Sequence, residues 1–336
     1  MIATYLQEVP QMVKRAVVIG TGGYLPQTII PNDHFVMHLD TTDEWIRERT
    51  GIEKRHFALA EEKTSDLACI AAKRALEAAQ KSPKDIDLII VATTTADMPF
   101  PSTAAIVQAK LGALPGAAFD VQAVCSGFVY ALSVADAMLS QGMARCALVI
   151  GAEIMSRLLD FQDRGTCILF GDGAGAVVLE ARNADENAKP MGILGTYLSC
   201  DGSKVDHLYV DGGLFDDERR IGHLRMQGNA VFKQAVSKIS EAIEQAIAKA
   251  GITMDEVDFF IPHQANIRIL RGVAQRLGLS EERIITTVAH HANTSAASIP
   301  LAWDEAQRQG RLKPGQIIVI EALGGGLTSG AVVIRL

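Results

Sequence analysis

The 336-residue chain has no uninterrupted apolar run long enough to span a bilayer. Its opening, MIATYLQEVPQM, has no basic flank leading into an apolar segment. Neither a membrane span nor an export signal is expected, and the cytoplasm is the expected compartment. Positive charge is also in short supply. Against 39 Asp and Glu stand 32 Lys and Arg, a net charge of −7, which disfavours nucleic acid as a partner and leaves room only for a local basic patch. Cysteine is sparse: the five (69, 125, 146, 167 and 200) are odd in number and lack metal-ligand spacing, so reduced thiols are expected rather than a disulfide frame or a zinc site. A dinucleotide fingerprint is missing as well. GTGGYLP (20–26) has proline where the binding helix would run, and FGDGAGAVVLE (170–180) leads into a strand pattern. What remains is a globular composition, 48% hydrophobic and 21% charged, sized for one large domain or two fused halves. The first strand is expected near Val13, which makes residues 1–11 an extension and Met12 an alternative start.

The chain reads as a duplication. RALEAAQKSPKDIDLIIVATT (74–94) and QAIAKAGITMDEVDFFIPHQ (245–264) share an Ala-rich helix, a turn, paired acidic residues and an apolar strand, with Asp87 matching Asp258. CALVIGAE (146–153) resembles QIIVIEAL (316–323), with Leu148 on Ile318, and GAVVLE (175–180) echoes GAVVIR (330–335). Between them, CSGFVYALSVADAMLSQG (125–142) aligns without gaps to NTSAASIPLAWDEAQRQG (293–310). That alignment makes Cys125 and Asn293 equivalent helix starts. Apolar strands alternating with helices predict sheets covered on both faces. The expected fold class is α/β, layered, with two duplicated halves: 12–184 carrying the cysteine and 185–336 carrying a histidine and an asparagine. RNADENAKP (182–190) has the composition of the linker.

Cys125 lies where a strand gives way to a helix, a position whose dipole is expected to lower the thiol pKa. Most free cysteines are small buried hydrophobes, and that reading goes to Cys69, Cys146, Cys167 and Cys200. His263, in FFIPHQANIRI, follows a buried strand at its C-terminal end, where α/β sheets bind ligands. A lone histidine there is more often a structural hydrogen-bonder, but Asn266, Arg268 and Arg271 follow closely. His290 and His291 read as loop histidines beside a site. Asn293 has two readings, a helix N-cap or a cleft residue. GGGLTSG (324–330) is either a flexible turn or a run of backbone amides for an oxyanion.

Taken together, AVCSGFVYAL, PHQANIRI, NTSAASIP, GGGLTSG, TTDEWIRERTGI (41–52), DRGTCILFGDGAGA (163–176) and QGNAVFK (227–233) resemble the β-ketoacyl-acyl-carrier-protein synthase III family of the thiolase-like superfamily, from about Val13 to Leu336. The resemblance implies decarboxylative Claisen condensation of a short acyl-CoA, acetyl-CoA foremost, with malonyl-acyl-carrier protein. That reaction initiates type II fatty-acid synthesis and needs no metal or redox cofactor. It places the catalytic residues at Cys125, His263 and Asn293, and the oxyanion hole at the amides of Cys125 and Gly325. Asn293 argues for the initiating branch, since thiolases use a second cysteine and elongating synthases a second histidine. Ala292 departs from the family's usual glycine, and Ser329 from a common tryptophan.

By the same resemblance Thr41, Trp45, Arg49, Arg164, Asn229 and Asn266 contact CoA, with Trp45 and Arg164 sandwiching adenine, Arg49 meeting phosphate and the two asparagines bonding pantetheine. Lys233 and Arg268, with Arg271 nearby, form the basic patch for the acidic carrier protein. Phe100 reaches across a homodimer to close the acyl pocket; the competing reading makes it a core aromatic rigidified by Pro99 and Pro101. Two other functions stay open. A sibling acyltransferase would take a longer acyl-CoA or another acceptor. Papain-like proteases also run Cys, His, Asn, with a Cys-to-His spacing of roughly 130–150 residues; CSGFV lacks their signature, and a duplicated α/β chain does not fit them.

Overall fold

The computed structural model describes residues 14–113, 115–184, 187–213 and 220–336. The extension at 1–11, the alternative start at Met12 and the second half's first residue, Asp185, lie outside the described residues. The chain begins with β1 (Lys14–Tyr24), β2 (Thr28–Pro31), α1 (Asp33–Val36), α2 (Asp43–Thr50), β3 (Lys54–Phe57) and α3 (Thr64–Ala78). It continues through β4 (Leu88–Ala92), α4 (Thr103–Leu111), β5 (Ala117–Val121), α5 (Gly127–Ser140), β6 (Cys146–Ile154) and β7 (Asp172–Asn183). Then come β8 (Gly192–Lys204), β9 (Leu208–Gly212), β10 (Ile221–Met226), α6 (Gly228–Ala250), β11 (Phe259–Pro262) and α7 (Ile267–Leu277). The end is α8 (Val288–His291), α9 (Ser298–Arg308), β12 (Ile317–Gly324) and β13 (Gly326–Arg335).

Two sheets dominate, ordered β1-β7-β6-β4-β5 and β8-β13-β12-β11. Strands such as LIIVA in β4 are buried at every residue because both faces are covered. One core sits between the sheets, where α5 and α9 meet the inward residues of both. A second packs α3 and α4 on the outer face of the first sheet, and a third packs α6 and α7 on the outer face of the second. The result is five layers, αβαβα. GTGGY is part of β1 and GDGAGAVVLE runs into β7, so neither glycine run opens a nucleotide-binding helix.

The duplication is visible in the hydrogen bonding. Leu88 pairs with Ala147 in parallel, and Phe259 pairs with Ile318 in parallel, a common offset of 171 residues (259 − 88 and 318 − 147). Asp87 accepts the Cys146 N–H as Asp258 accepts the Ile317 N–H, pinning the same register in both halves. The offset of 170 expected for Leu148 is therefore one residue short. In a strand that slip would turn every side chain to the wrong face.

The helices correct the second expected equivalence. Their C-terminal ends match, with Gly142 and Gly310 both left-handed just past the C-cap (φ 72° and 69°). Yet α5 has 14 residues and α9 has 11. Both begin with a 3-10 turn, Val124–Ser126 and Ser295–Ala297, whose first residue has positive φ (48° and 50°). Cys125 thus matches Ala296, not Asn293. A gapless alignment fails here because three residues were lost from the second helix, not from its start signal.

Candidate active site

Cys125 is buried in the turn that links β5 to α5. The β12–β13 hairpin passes directly beneath it. A Cβ at Gly324 would lie 2.8 Å from the Cys125 nitrogen, and one at Gly325 would lie 2.8 Å from the Leu208 carbonyl and 3.4 Å from Val124. GGGLTSG is thus a tight hairpin that needs glycine to approach the cysteine turn. Thr328 Oγ1 fastens it there, 2.6 Å from Ser126 Oγ and donating to the Ala123 carbonyl at 3.1 Å. Burial pushes the Cys125 thiol up to about 12, opposed by a hydrogen bond with Ser295 and reinforced by the Glu153 carboxyl. This overturns the expected depression. Desolvation of a thiolate outweighs what one short turn at a helix start supplies.

His263 follows β11 and is buried, and burial alone takes its pKa down to about 3, so the ring is neutral. Its Nδ1 lies 2.6 Å from Ser298 Oγ, which also accepts the Gln264 N–H at 3.3 Å. With Ser298 donating to Nδ1, the ring proton sits on Nε2. Asn293 is held by its backbone between Leu169 and Gly171, and its Oδ1 accepts the Ser295 N–H at 2.9 Å. The NH₂ is the remaining, donating end of that amide. One run, Asn293–Ser298, thus joins the whole constellation: Asn293 itself, Ser295 on Cys125 and Ser298 on His263. Motif reading passed over Ser295, Ser298 and Glu153. The two serines stand within NTSAAS at a helix start, a placement that marked them as polar and buried.

Around the proposed CoA residues, Arg49 and Arg164 both stack on Trp45, at 4.8 and 4.7 Å from the ring centroid. Arg164 also donates to the Asp40 carbonyl. Thr41 has a buried hydroxyl without a partner. Asn229 and Lys233 line a depression of about 520 Å³ at the start of α6. Asn266 differs from expectation: its Oδ1 caps α7 at the Arg268 N–H and its Nδ2 donates to the Arg49 carbonyl, so both ends of the amide are engaged. Arg268 lies over Phe232, beside Lys233, at 5.4 Å, whereas Arg271 pairs with Glu281 at 3.6 Å.

Phe100 is 84% exposed, which removes the core-aromatic reading. Cys200 is also exposed, against the reading as a buried hydrophobe, because it lies on β8 opposite Thr328 at the glycine hairpin. His290 and His291 are on α8 rather than in a loop. Both hydrogen-bond Glu305, at 2.9 and 3.1 Å, and hold its carboxyl well below the usual range. No helix among the described residues is long and apolar enough to cross a membrane.

Residues 119–202 match the family described as 3-oxoacyl-(acyl-carrier-protein) synthase III, and residues 247–336 match its C-terminal family. A β-ketoacyl-(acyl-carrier-protein) synthase III of Caulobacter vibrioides is 59% identical over 322 residues, 96% of this chain and 100% of the relative. The crystal structure of the 3-oxoacyl-(acyl-carrier-protein) synthase III of Aquifex aeolicus superposes with a TM-score of 0.89 at 45% identity, covering 96% of this chain and 100% of that one. A priming β-ketosynthase of the R1128 polyketide pathway superposes with a TM-score of 0.91 at 33% identity, each chain 97% covered.

Proposed function

The chain belongs to the β-ketoacyl-acyl-carrier-protein synthase III family, the condensing acyltransferases of fatty-acid synthesis, and from that premise we propose how its own residues carry the reaction. Cys125 sulfur attacks the thioester of a short acyl-CoA, and the amides of Cys125 and Gly325 receive the oxyanion. CoA leaves and the acyl group stays on the cysteine. Malonyl-acyl-carrier protein then binds and loses carbon dioxide. His263 Nε2–H and the Asn293 amide donate to its thioester oxygen as charge develops there, and the resulting enolate attacks the acyl-cysteine. The covalent intermediate divides one condensation into two transfers and implies ping-pong kinetics. No step moves electrons to a carrier or calls on a metal.

The observation that carries this reading is the pair of pre-set donors. A neutral His263 whose Nδ1 accepts from Ser298 carries its proton on Nε2, and the Ser295 N–H on Asn293 Oδ1 leaves the amide NH₂ as the donor end. Trp45 with Arg49 and Arg164 supports CoA binding by stacking and cation–π attraction. The exposed Phe100 and the edge position of β5 support a homodimer that covers them. The cytoplasm is the proposed compartment, with halves divided at 184/185. Mass spectrometry after incubation with acetyl-CoA is expected to find one acetyl group, on Cys125. Acyl-enzyme formed by the Cys125→Ala protein would refute the assignment.

A further inference from the structure

A nucleophile whose thiol is buried and hard to ionise needs somewhere to put its proton. His263 is a poor recipient, since its Nδ1 is engaged by Ser298 and burial disfavours the charged ring. The side chain that hydrogen-bonds the Cys125 thiol is Ser295. Ser295 Oγ in turn donates to Glu153 Oε1 at 3.2 Å. Glu153, next to last in β6, is fully buried and is met by the N–H groups of Thr94 and Thr95 at 3.1 and 3.2 Å. The hydroxyls of Thr93, Thr94 and Thr95 join at 3.3, 3.0 and 2.6 Å. A carboxylate so supplied with donors is held in one place and oriented toward the serine.

The backbone shows that this contact is built. Ser295 takes φ of 50°, unusual for a residue with a side chain, at the position where Val124 takes 48° in the first half. A Cβ at Gly151, two residues before Glu153, would fall 2.2 Å from the Ala296 carbonyl, so glycine is what lets the serine turn approach β6. By the 171-residue offset Glu153 corresponds to Gly324, which touches the Cys125 turn in the same manner. The duplication therefore aims Glu153 at the Ser295 turn, as it aims Gly324 at the cysteine turn.

We propose that Cys125, Ser295 and Glu153 form a proton relay that serves acyl transfer, an inference that rests on Cys125 being the nucleophile. As the Cys125 sulfur attacks the thioester carbon, its proton passes to Ser295 Oγ while the Ser295 proton passes to Glu153. The tetrahedral intermediate collapses, the carbon–sulfur bond to CoA breaks, and the CoA thiolate recovers the proton from Glu153 by the same route. Atoms and charge balance, and no co-reactant is needed. Glu153 acts through Ser295 and does not touch substrate, whereas Ser295 Oγ meets the departing CoA sulfur as it returns the proton. The relay answers an electrostatic problem: a thiolate beside an ionised Glu153 would place two like charges in one buried site, and moving the proton leaves a single charge shared between them. Glu153 is the charged group that acts on the thiol. Around it His263 is neutral, and burial raises the carboxyls of Glu321 in β12 and of Asp172, which pairs with Ile154 beside Glu153.

Single-turnover acetylation of Cys125 by acetyl-CoA, followed from pH 6 to 10 alongside thiolate absorbance, tests the relay. Ser295→Gly accepts the positive φ and keeps the N–H that holds Asn293. It is expected to slow acetylation by about 10²-fold at neutral pH, the deficit shrinking as hydroxide replaces the relay. Glu153→Gln removes the neighbouring negative charge, so the thiolate forms at lower pH, yet acetylation is expected to slow. Those opposite movements are a signature that a purely structural or repulsive Glu153 would not give. Faster acetylation by Glu153→Gln, or a Ser295→Gly profile that overlays the unaltered protein, overturns the relay alone. Acetylation of the Cys125→Ala protein overturns the nucleophile assignment and the relay with it.

Discussion

Ala92 and His263 occupy the same position in the two halves, and so do Ala296 and Cys125. At each site one half has the reactive residue and the other has alanine. The supporting residues follow the same rule: Ser298 bonds His263, while its counterpart Gly127 lies where a Cβ would be 3.3 Å from that of Ala92 and 3.5 Å from that of Ala296. A second large side chain at either place would collide with the helix start. On the proposed roles, the duplicated fold makes one cleft by dividing the work, with the nucleophile from the first half and the donors from the second. Asn293 stands two residues ahead of the start turn, where the 171-residue offset puts Gln122 in the first half.

If the labour is split in this way, the largest effects come from the donors of the second half. His263→Ala and Asn293→Ala are each expected to lower malonyl-carrier-protein decarboxylation by about 10²–10³-fold while affecting acetylation of Cys125 far less. Equal losses in both half-reactions would merge the roles and break the comparison. The first half is expected to set the acyl chain. Phe100→Thr should raise kcat/KM for six- to eight-carbon acyl-CoAs by roughly tenfold to a hundredfold, the range that relief of about 1–3 kcal/mol of overpacking gives. Acetyl-CoA should change little, and uniform loss of all substrates would remove Phe100 from the pocket.

A smaller effect is expected where the second half meets the carrier. Reversing Lys233 and Arg268 to Glu should raise the carrier-protein KM about tenfold and spare acetyl-CoA, and added salt should mimic it. A KM that ignores both changes would rule the patch out. The smallest effect concerns stability. Glu321 stands where the first half has Ile150, and burial raises its carboxyl to about 8 from an ordinary 4.5. Between those values the folded chain keeps a proton that the unfolded chain has released, so stability falls as pH rises through that window. Glu321→Gln should flatten the decline of Tm between about pH 5 and 8 by a few degrees; parallel curves would show that the acid is ionised and satisfied in the fold.

Much of this was legible in the chain itself. Apolar strands alternating with helices, the repeated Asp-apolar signals at Asp87 and Asp258, and the motifs around Cys125, His263 and Asn293 depend on local order, and local order is what a sequence records. The paired motifs exposed the duplication, though the strand stretch ALVIGA (147–152), apolar on both faces, has no polar residue to set its register, and only the hydrogen bonds of Asp87 and Asp258 decided between 170 and 171. The rest needed the third dimension. Cys125 reads as an activated thiol until burial is known, because desolvation depends on what covers the cysteine and not on what precedes it. Asn266 reads as a ligand residue, and only the fold shows that Arg49, 217 positions away, shares its amide. Ser295 and Glu153, 142 residues apart, carry no shared motif and become one arrangement only where a glycine in β6 lets the helix-start turn come close enough to bond.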